Sequence, residues 1–344
     1  MKPNRRMVES HFSVPSMREL LIIQPSSLGD IVHGLQVTAA LKAQQPGWRV
    51  SWIVRDVFAP LVRASTVVDQ IYVFRRLGGV GGFLSLMREV RRREFDVACD
   101  FQGLLRSGLM IKWTHAKRKL GRPDAREGAS FFYDSVITAP RGGASVHPLE
   151  LLLQFCTALG AKPELASGAL QFRDHAGLNL SFMDARGGRR PILMFPDSRR
   201  EDKRWGGFAS LSSLLVREAG RKVVWAGSHY LPCREAFPDG AFVNLTGNTS
   251  LNSLTALMNQ ADWVIANDSG ALQLAAAMRV KTLGIFGPTD PQLTGPYPLN
   301  GPTNFVVQAP VGDLKLLAAK DVFARFKRVL EVVPARERAA APFA

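Results

Sequence analysis

The chain has 344 residues, 46% of them hydrophobic and 21% charged, which excludes a disordered or fibrous protein and leaves room for roughly two domains of ~150 residues. Its formal net charge of +15 points to an anionic substrate or surface, while three widely spaced cysteines, Cys99, Cys156 and Cys233, make neither a disulfide framework nor a metal motif. No apolar run reaches the ~18 residues of a membrane span, and residues 1–17 are polar and basic without the apolar centre of a signal peptide, so a loose tail on a cytoplasmic protein is expected.

From there the elements follow in order. Residues 20–24 (LLIIQ) are a continuous apolar run, the signature of a central parallel strand. The turn PSSLGD (25–30) leads into a helix over 31–44, which Pro46 and Gly47 break before a strand at 50–54. Residues 57–64 read as helix, 70–74 as strand, 83–93 as helix and 97–101 as strand. A helix is expected at 148–160, and the breaker-rich stretch 161–189 reads as a connection between domains.

The second half repeats the pattern. A buried strand (PILMF, 191–195) is followed by a helix near 208–219, strands at 222–226 and 242–245, and a helix at 252–260. A strand at 263–266 then feeds a short Ala/Leu helix through the turn Asn267-Asp268-Ser269-Gly270, and a further strand at 282–286 ends in Gly287-Pro288-Thr289-Asp290. An amphipathic helix over 314–330 closes the chain, with Val322, Phe323, Phe326, Val329 and Leu330 on one face. Strand–helix alternation in both halves predicts an α/β protein of two Rossmann-like, doubly wound domains with a cleft between them. Neither half carries G-x-G-x-x-G at a strand end or a Walker A loop, which argues against a dinucleotide-dependent redox enzyme or a P-loop enzyme. The 267–270 turn places free N–H groups at a helix N-terminus, a ready site for phosphate. The basic runs at 88–93, 117–122 and 199–204 lack the aromatic interleaving of a nucleic-acid reader, so no nucleic acid is expected.

Three separated segments, PSSLGDIVHGLQVTAAL (25–41), DFQGLLRSGL with AREGASFFYD (100–134) and NDSGALQLAAAMRVKTLGIFGPTDP (267–291), resemble the bacterial ADP-heptose:lipopolysaccharide heptosyltransferases, most of all the heptosyltransferase I branch, which adds the first heptose to Kdo-lipid A. The resemblance covers about 20–330. It implies a GT-B fold, with an acceptor-binding domain at 18–180, a nucleotide-sugar domain at 188–330 and loose tails at 1–17 and 334–344. It also implies an inverting transfer that needs neither cofactor nor metal, an ADP-sugar donor, and an anionic lipopolysaccharide precursor at the inner face of the inner membrane.

By the same resemblance Asp30 is the general base, and Lys203 steadies the departing diphosphate. Ser198 supplies a hydroxyl to the phosphates, Ser269 and Gly270 supply N–H groups, Asp268 orders their turn, and Arg199 is a further phosphate partner. Thr249 falls where the adenine is approached, and Glu235 is the first carboxylate available for the ribose. Gln273 stands where the family usually has His; Gln donates hydrogen bonds but carries no proton charge. For the acceptor, with its carboxylate and phosphates, the candidates are Ser27, Gly29 and His33 around the first turn, then Arg106, Lys119, Arg122 and Arg126. Phe131, Phe132 and Tyr133 are expected to pack in a core or lid. A different GT-B transferase, heptosyltransferase II among them, and a non-catalytic sugar-nucleotide-binding or lipopolysaccharide-binding protein on the same scaffold remain as alternatives.

Overall fold

The computed structural model describes residues 17–142, 146–173, 179–184, 188–299 and 301–332; apart from Met17, the expected tails lie outside these. The first half runs β1 (Arg18–Ile23), α1 (Leu28–Gln44), β2 (Trp48–Arg55), α2 (Ala59–Ala64), β3 (Gln70–Phe74), α3 (Gly79–Val90), β4 (Glu94–Asp100), α4 (Leu105–Lys112), β5 (His115–Gly121), β6 (Ser135–Val136) and α5 (Pro148–Ala158). The second runs β7 (Ile192–Phe195), α6 (Phe208–Arg217), β8 (Val223–Gly227), β9 (Phe242–Thr246), α7 (Leu251–Gln260), β10 (Trp263–Asn267), α8 (Gly270–Ala277), β11 (Lys281–Phe286), α9 (Pro291–Thr294), β12 (Asn304–Gln308) and α10 (Ala319–Val332).

Each half builds one six-stranded parallel sheet, ordered β3-β2-β1-β4-β5-β6 and β12-β11-β10-β7-β8-β9. Counted from its β9 edge, the second sheet repeats the order of the first. The apolar runs become the central strands: β7 is buried along its whole length and β1 over its last four residues, because strands covered by helices on both faces have no solvent side to alternate with. Strand order reverses between β1 and β4, and between β7 and β10. Helices leaving those strand pairs diverge to opposite faces, which opens a crevice at the carboxyl ends.

Several elements carry no hydrophobic signal. β5 reads HAKRKLG and is largely exposed; it is a strand because its backbone pairs with β4 from Glu94↔His115 onward. α4, β6, α9 and β12 are likewise additions. The helix expected at 83–93 begins earlier, at Gly79, and ends at Val90, and the closing helix starts at Ala319 after a separate 3-10 turn at Leu314–Leu316.

The halves meet through α1, which packs on α5 of its own half and on α8 of the other. One cluster of buried side chains, with Leu35, Leu152 and Leu272 among them, runs through both halves. The closest approach is at Gly270: a Cβ there would stand 2.7 Å from Leu28 Cβ and 2.9 Å from the Gly29 nitrogen. Only glycine lets the two helix N-termini abut this way.

Candidate active site

Beside that contact lies a cleft of about 460 Å³. The loops after β7 and β10, the two strands at the reversal of the second sheet, form its floor and bring in Ser198, Arg199, Lys203, Asp268, Ser269 and Gly270. Leu28 from the start of α1, with Val57 and Phe58 after β2, closes it from the first half. The donor-side residues expected from 198 to 203, at 249 and from 268 to 270 therefore share one cavity.

Lys203 and Asp268 form its charged centre. Lys203 ends a 3-10 turn (Glu201–Lys203), and its Nζ donates to Asp268 Oδ2 at 2.5 Å. The same oxygen accepts from Thr289 Oγ1 at 2.7 Å and Thr294 Oγ1 at 3.3 Å. Asp268 thus aims the lysine as well as bounding the turn. Asn267 holds the two loops in register: its Oδ1 accepts from the Trp205 backbone N–H at 3.1 Å, and its Nδ2 donates to Pro196 O at 2.9 Å. The sequence marks Asn267 only as the first residue of its turn, not as the side chain that ties two loops together. Ser269, which lines the cleft, is the N-cap of α8, yet its buried Oγ has no partner among the described residues. Arg199 is exposed at the rim, and its neighbour Arg200 is engaged by Asp202.

Asp30 sits in the third position of α1, where Oδ2 accepts from the Ser27 backbone N–H at 2.9 Å and from Ser27 Oγ at 2.7 Å. Both bonds fall on one oxygen, and Oδ1 takes none among the described residues. Gly29 lies against the other half, since a Cβ there would be 3.6 Å from Gln273 Cγ and 3.8 Å from Gly270 Cα.

The far end of the cleft differs from expectation. Glu235 is exposed and does not line it; the carboxylate that does is Asp197. Its Oδ1 accepts from the Ser198 backbone N–H at 2.8 Å and forms an ion pair with Arg204 at 2.9 Å, and Oδ2 lies 2.9 Å from Nδ1 of His229, another lining residue. Search by spacing along the 225–237 stretch misses Asp197, because it arrives from a different strand. Thr249 lines the same end, accepting from Gly227 N at 3.2 Å and donating to Leu245 O at 2.9 Å.

Gln273 is a correction. It does not line the cleft but is buried at the α1–α8 contact. Its Nε2 donates to Thr294 O at 2.8 Å and Gly295 O at 3.1 Å, and Oε1 lies 3.3 Å from His33 Nε2. With both amide hydrogens on carbonyls, Oε1 accepts, so the His33 proton is on Nε2 and Nδ1 is a buried acceptor with no partner among the described residues. His33, expected to face the cleft, is thus an interface residue. Its ring meets that of His147 edge-on at 5.2 Å. Burial, with His147 nearby, pushes it down to about 4.

The acceptor-side cations separate. Lys119 Nζ donates to Lys112 O at 3.1 Å, at the C-terminus of α4, a favourable place for a cation. Arg122 makes a bidentate pair with Asp124 at 2.8 and 2.7 Å and donates to Phe101 O. Arg106 and Arg126 are exposed. Tyr133 Oη donates to the buried Asp100 at 2.8 Å, with burial pushing that carboxyl up. Phe131, expected to be packed, is 88% exposed.

Among the described residues no group of three or more His, Cys, Asp or Glu is placed to hold a metal ion. Residues 83–310 match glycosyltransferase family 9 (heptosyltransferase). The chain is 24% identical over 307 residues to the lipopolysaccharide core heptosyltransferase OpsX of Haemophilus influenzae, covering 81% of this chain and 82% of that protein. It is 27% identical over 307 residues to the lipopolysaccharide heptosyltransferase 1 of Escherichia coli K12, covering 85% and 93%. Among solved structures, the E. coli heptosyltransferase WaaC with ADP superposes with a TM-score of 0.75 at 22% identity, covering 90% of this chain and 99% of that one.

Proposed function

The chain belongs to glycosyltransferase family 9, the heptosyltransferases, and from that premise we propose that it moves heptose from ADP-L-glycero-D-manno-heptose to the Kdo of Kdo-lipid A, with inversion and without metal or cofactor. The observation that carries the reading is the abutment of the two helix N-termini, which sets the Asp30 turn against the turn holding Lys203 and Asp268. An inverting transfer needs a base on one side of the anomeric carbon and leaving-group stabilisation on the other.

In this mechanism the acceptor oxygen attacks the anomeric carbon while Asp30 Oδ1 takes its proton; Ser27 holds the other carboxylate oxygen in place. The bond from that carbon to the β-phosphate oxygen breaks, and ADP leaves with the electron pair. The new negative charge meets the Lys203 ammonium, the Ser269 hydroxyl and the N–H groups at the start of α8. Asp268 keeps two donors, Thr289 and Thr294, when Lys203 turns to the phosphate. The nucleoside fits the end lined by Thr249, Asp197 and His229. ADP bound to the WaaC neighbour supports the donor class, and relatives named lipopolysaccharide heptosyltransferase 1 support a lipopolysaccharide acceptor. No helix among the described residues is long and apolar enough to cross a membrane, and an enzyme bound to the inner face of the inner membrane matches a lipid acceptor and a charge of +15.

The test is transfer by the purified chain from ADP-heptose to Kdo-lipid A, with EDTA present, scored beside an acceptor that already carries the first heptose. Product only from Kdo-lipid A supports the reading. Product only from the heptosylated acceptor assigns a later transfer, and activity abolished by EDTA overturns the metal-free mechanism.

A further inference from the structure

A surface outside the cleft is apolar where solubility alone calls for polar residues. Leu77 is 99% exposed, Val80 76% and Phe131 88%. Leu105 and Trp113 are also exposed, and with Leu109 they follow the four-residue spacing of one helical stripe along and just past α4. Isolated exposed apolar residues need no explanation, but Phe83, Leu105, Leu109 and Trp113 adjoin one another, and Leu77 and Val80 lie just before Phe83 at the start of α3. Phe83 of α3 shares a groove of about 350 Å³ with Leu105, Arg106, Leu109 and Glu127, and its ring meets Trp113 at 6.5 Å. Glu127, which accepts from the Leu105 backbone N–H at 3.2 Å, brings the 127–132 segment with Phe131 against α4.

Cations surround the patch. Arg75, Arg76, Arg106, Lys112 and Arg126 are exposed, and none forms a salt bridge among the described residues. The Arg106 guanidinium lies 5.5 Å from the centre of the Phe74 ring and the Lys112 ammonium 5.3 Å from that of Phe132, so these two charges sit directly against the aromatic side chains of the patch. The starts of α3 and α4 and the 126–132 segment follow the carboxyl ends of β3, β4 and β5, the same end of the sheet that carries Asp30, and α4 extends the patch from there to Trp113, just before β5.

We propose that this face, formed by the start of α3, α4 and the 126–132 segment, docks the protein on an anionic lipid bilayer. Apolar side chains projecting from a ring of unpaired arginines and lysine match the boundary between headgroups and acyl chains, and a soluble protein partner of ordinary charge has no need of so many unpaired cations. Seated there, the bilayer presents its lipid headgroups beside the Asp30 end of the cleft. The link to the acceptor rests on the reading that the acceptor is a lipid; the bilayer contact itself does not.

The test is flotation of the full chain with vesicles of phosphatidylcholine alone or mixed with phosphatidylglycerol. Wild type is expected to float with the mixed vesicles only, and less so in high salt. L77S/V80S/F131S should weaken binding tenfold or more, and R75Q/R76Q by up to about 25-fold, about a factor of five for each cation near the surface. None of these residues lines the cleft, so affinity for ADP serves as the folding control. Equal flotation of wild type and both variants, or no flotation of wild type, overturns the proposal. So does a patch variant that abolishes self-association in sedimentation while leaving flotation intact, since the face is then a contact between copies. Flotation without any heptosyl transfer upholds the surface and removes only the assigned function.

Discussion

The two turns that meet at the centre of the molecule are built from similar residues and use them differently. In the first, Ser27-Leu28-Gly29-Asp30, the carboxylate folds back on its own helix, with both hydrogen bonds coming from Ser27. In the second, Asn267-Asp268-Ser269-Gly270, the carboxylate reaches across to a lysine delivered by another strand, and the serine hydroxyl is left without a partner among the described residues. A locally held carboxylate keeps one oxygen open for a proton. A carboxylate in a long-range pair fixes a cation where charge must be met. Similar strand–turn–helix grammar therefore yields a carboxylate with a free oxygen on one side and a lysine held at a helix N-terminus on the other, which is what the proposed base and anion site each require.

The comparison breaks first at the base. Asp30→Asn retains an acceptor for Ser27 and removes only basicity, so kcat should fall by about 10²–10⁴ with donor KM little changed; steady-state kinetics beside a thermal melt separates this from misfolding. On the other turn, Lys203→Met removes one stabiliser of the leaving group and should cost about 10²–10³ in kcat, with ADP affinity falling as well, measured by calorimetry. A KM effect with unchanged kcat would place Lys203 in ground-state binding only.

The interface behind the turns titrates. His33 has its pKa lowered to about 4 from the usual 6.5, so the unfolded chain binds the proton more readily. Stability is complete above about pH 6.5 and is lost as pH falls toward 4, by at most about 3 kcal/mol. Urea midpoints across that window should fall in wild type and flatten in His33→Gln. Gly270→Ala should destabilise by about 1–3 kcal/mol, because the new methyl meets Leu28 and the Gly29 backbone; Gly29→Ala, with 3.6 Å to its nearest neighbour, should be far milder. Equal melting of the two variants would mean the turns part easily. The smallest effect is at the nucleoside end, where His229→Ala should raise donor KM roughly five- to tenfold for one lost hydrogen bond, and Glu235→Ala should leave it unchanged.

Much of this was legible in order along the chain. The apolar runs that became β1, β7 and β10 are read correctly because double burial leaves one pattern, and the turns after β1 and β10 are visible because helix starts have a limited vocabulary. β5 and β12 were not legible, since an edge or half-exposed strand is held by its ladder and not by its side chains. In the cleft, Ser198, Lys203, Thr249, Asp268 and Ser269 gather as motif and spacing suggest. Gln273 and His33 do not, because the side chain that a motif brings near a site can still point into the packing behind it.

Sequence by itself determined the two parallel sheets, their crevices and the chemistry of each turn, all of which rest on local burial and capping. Only tertiary structure decided which turns face one another, that Asp197 and not Glu235 lines the cleft, and that Gln273 joins α8 to α1. Those outcomes depend on contacts between residues up to 240 positions apart, as in the His33–Gln273 bond, and no periodicity along the chain encodes a distance of that kind.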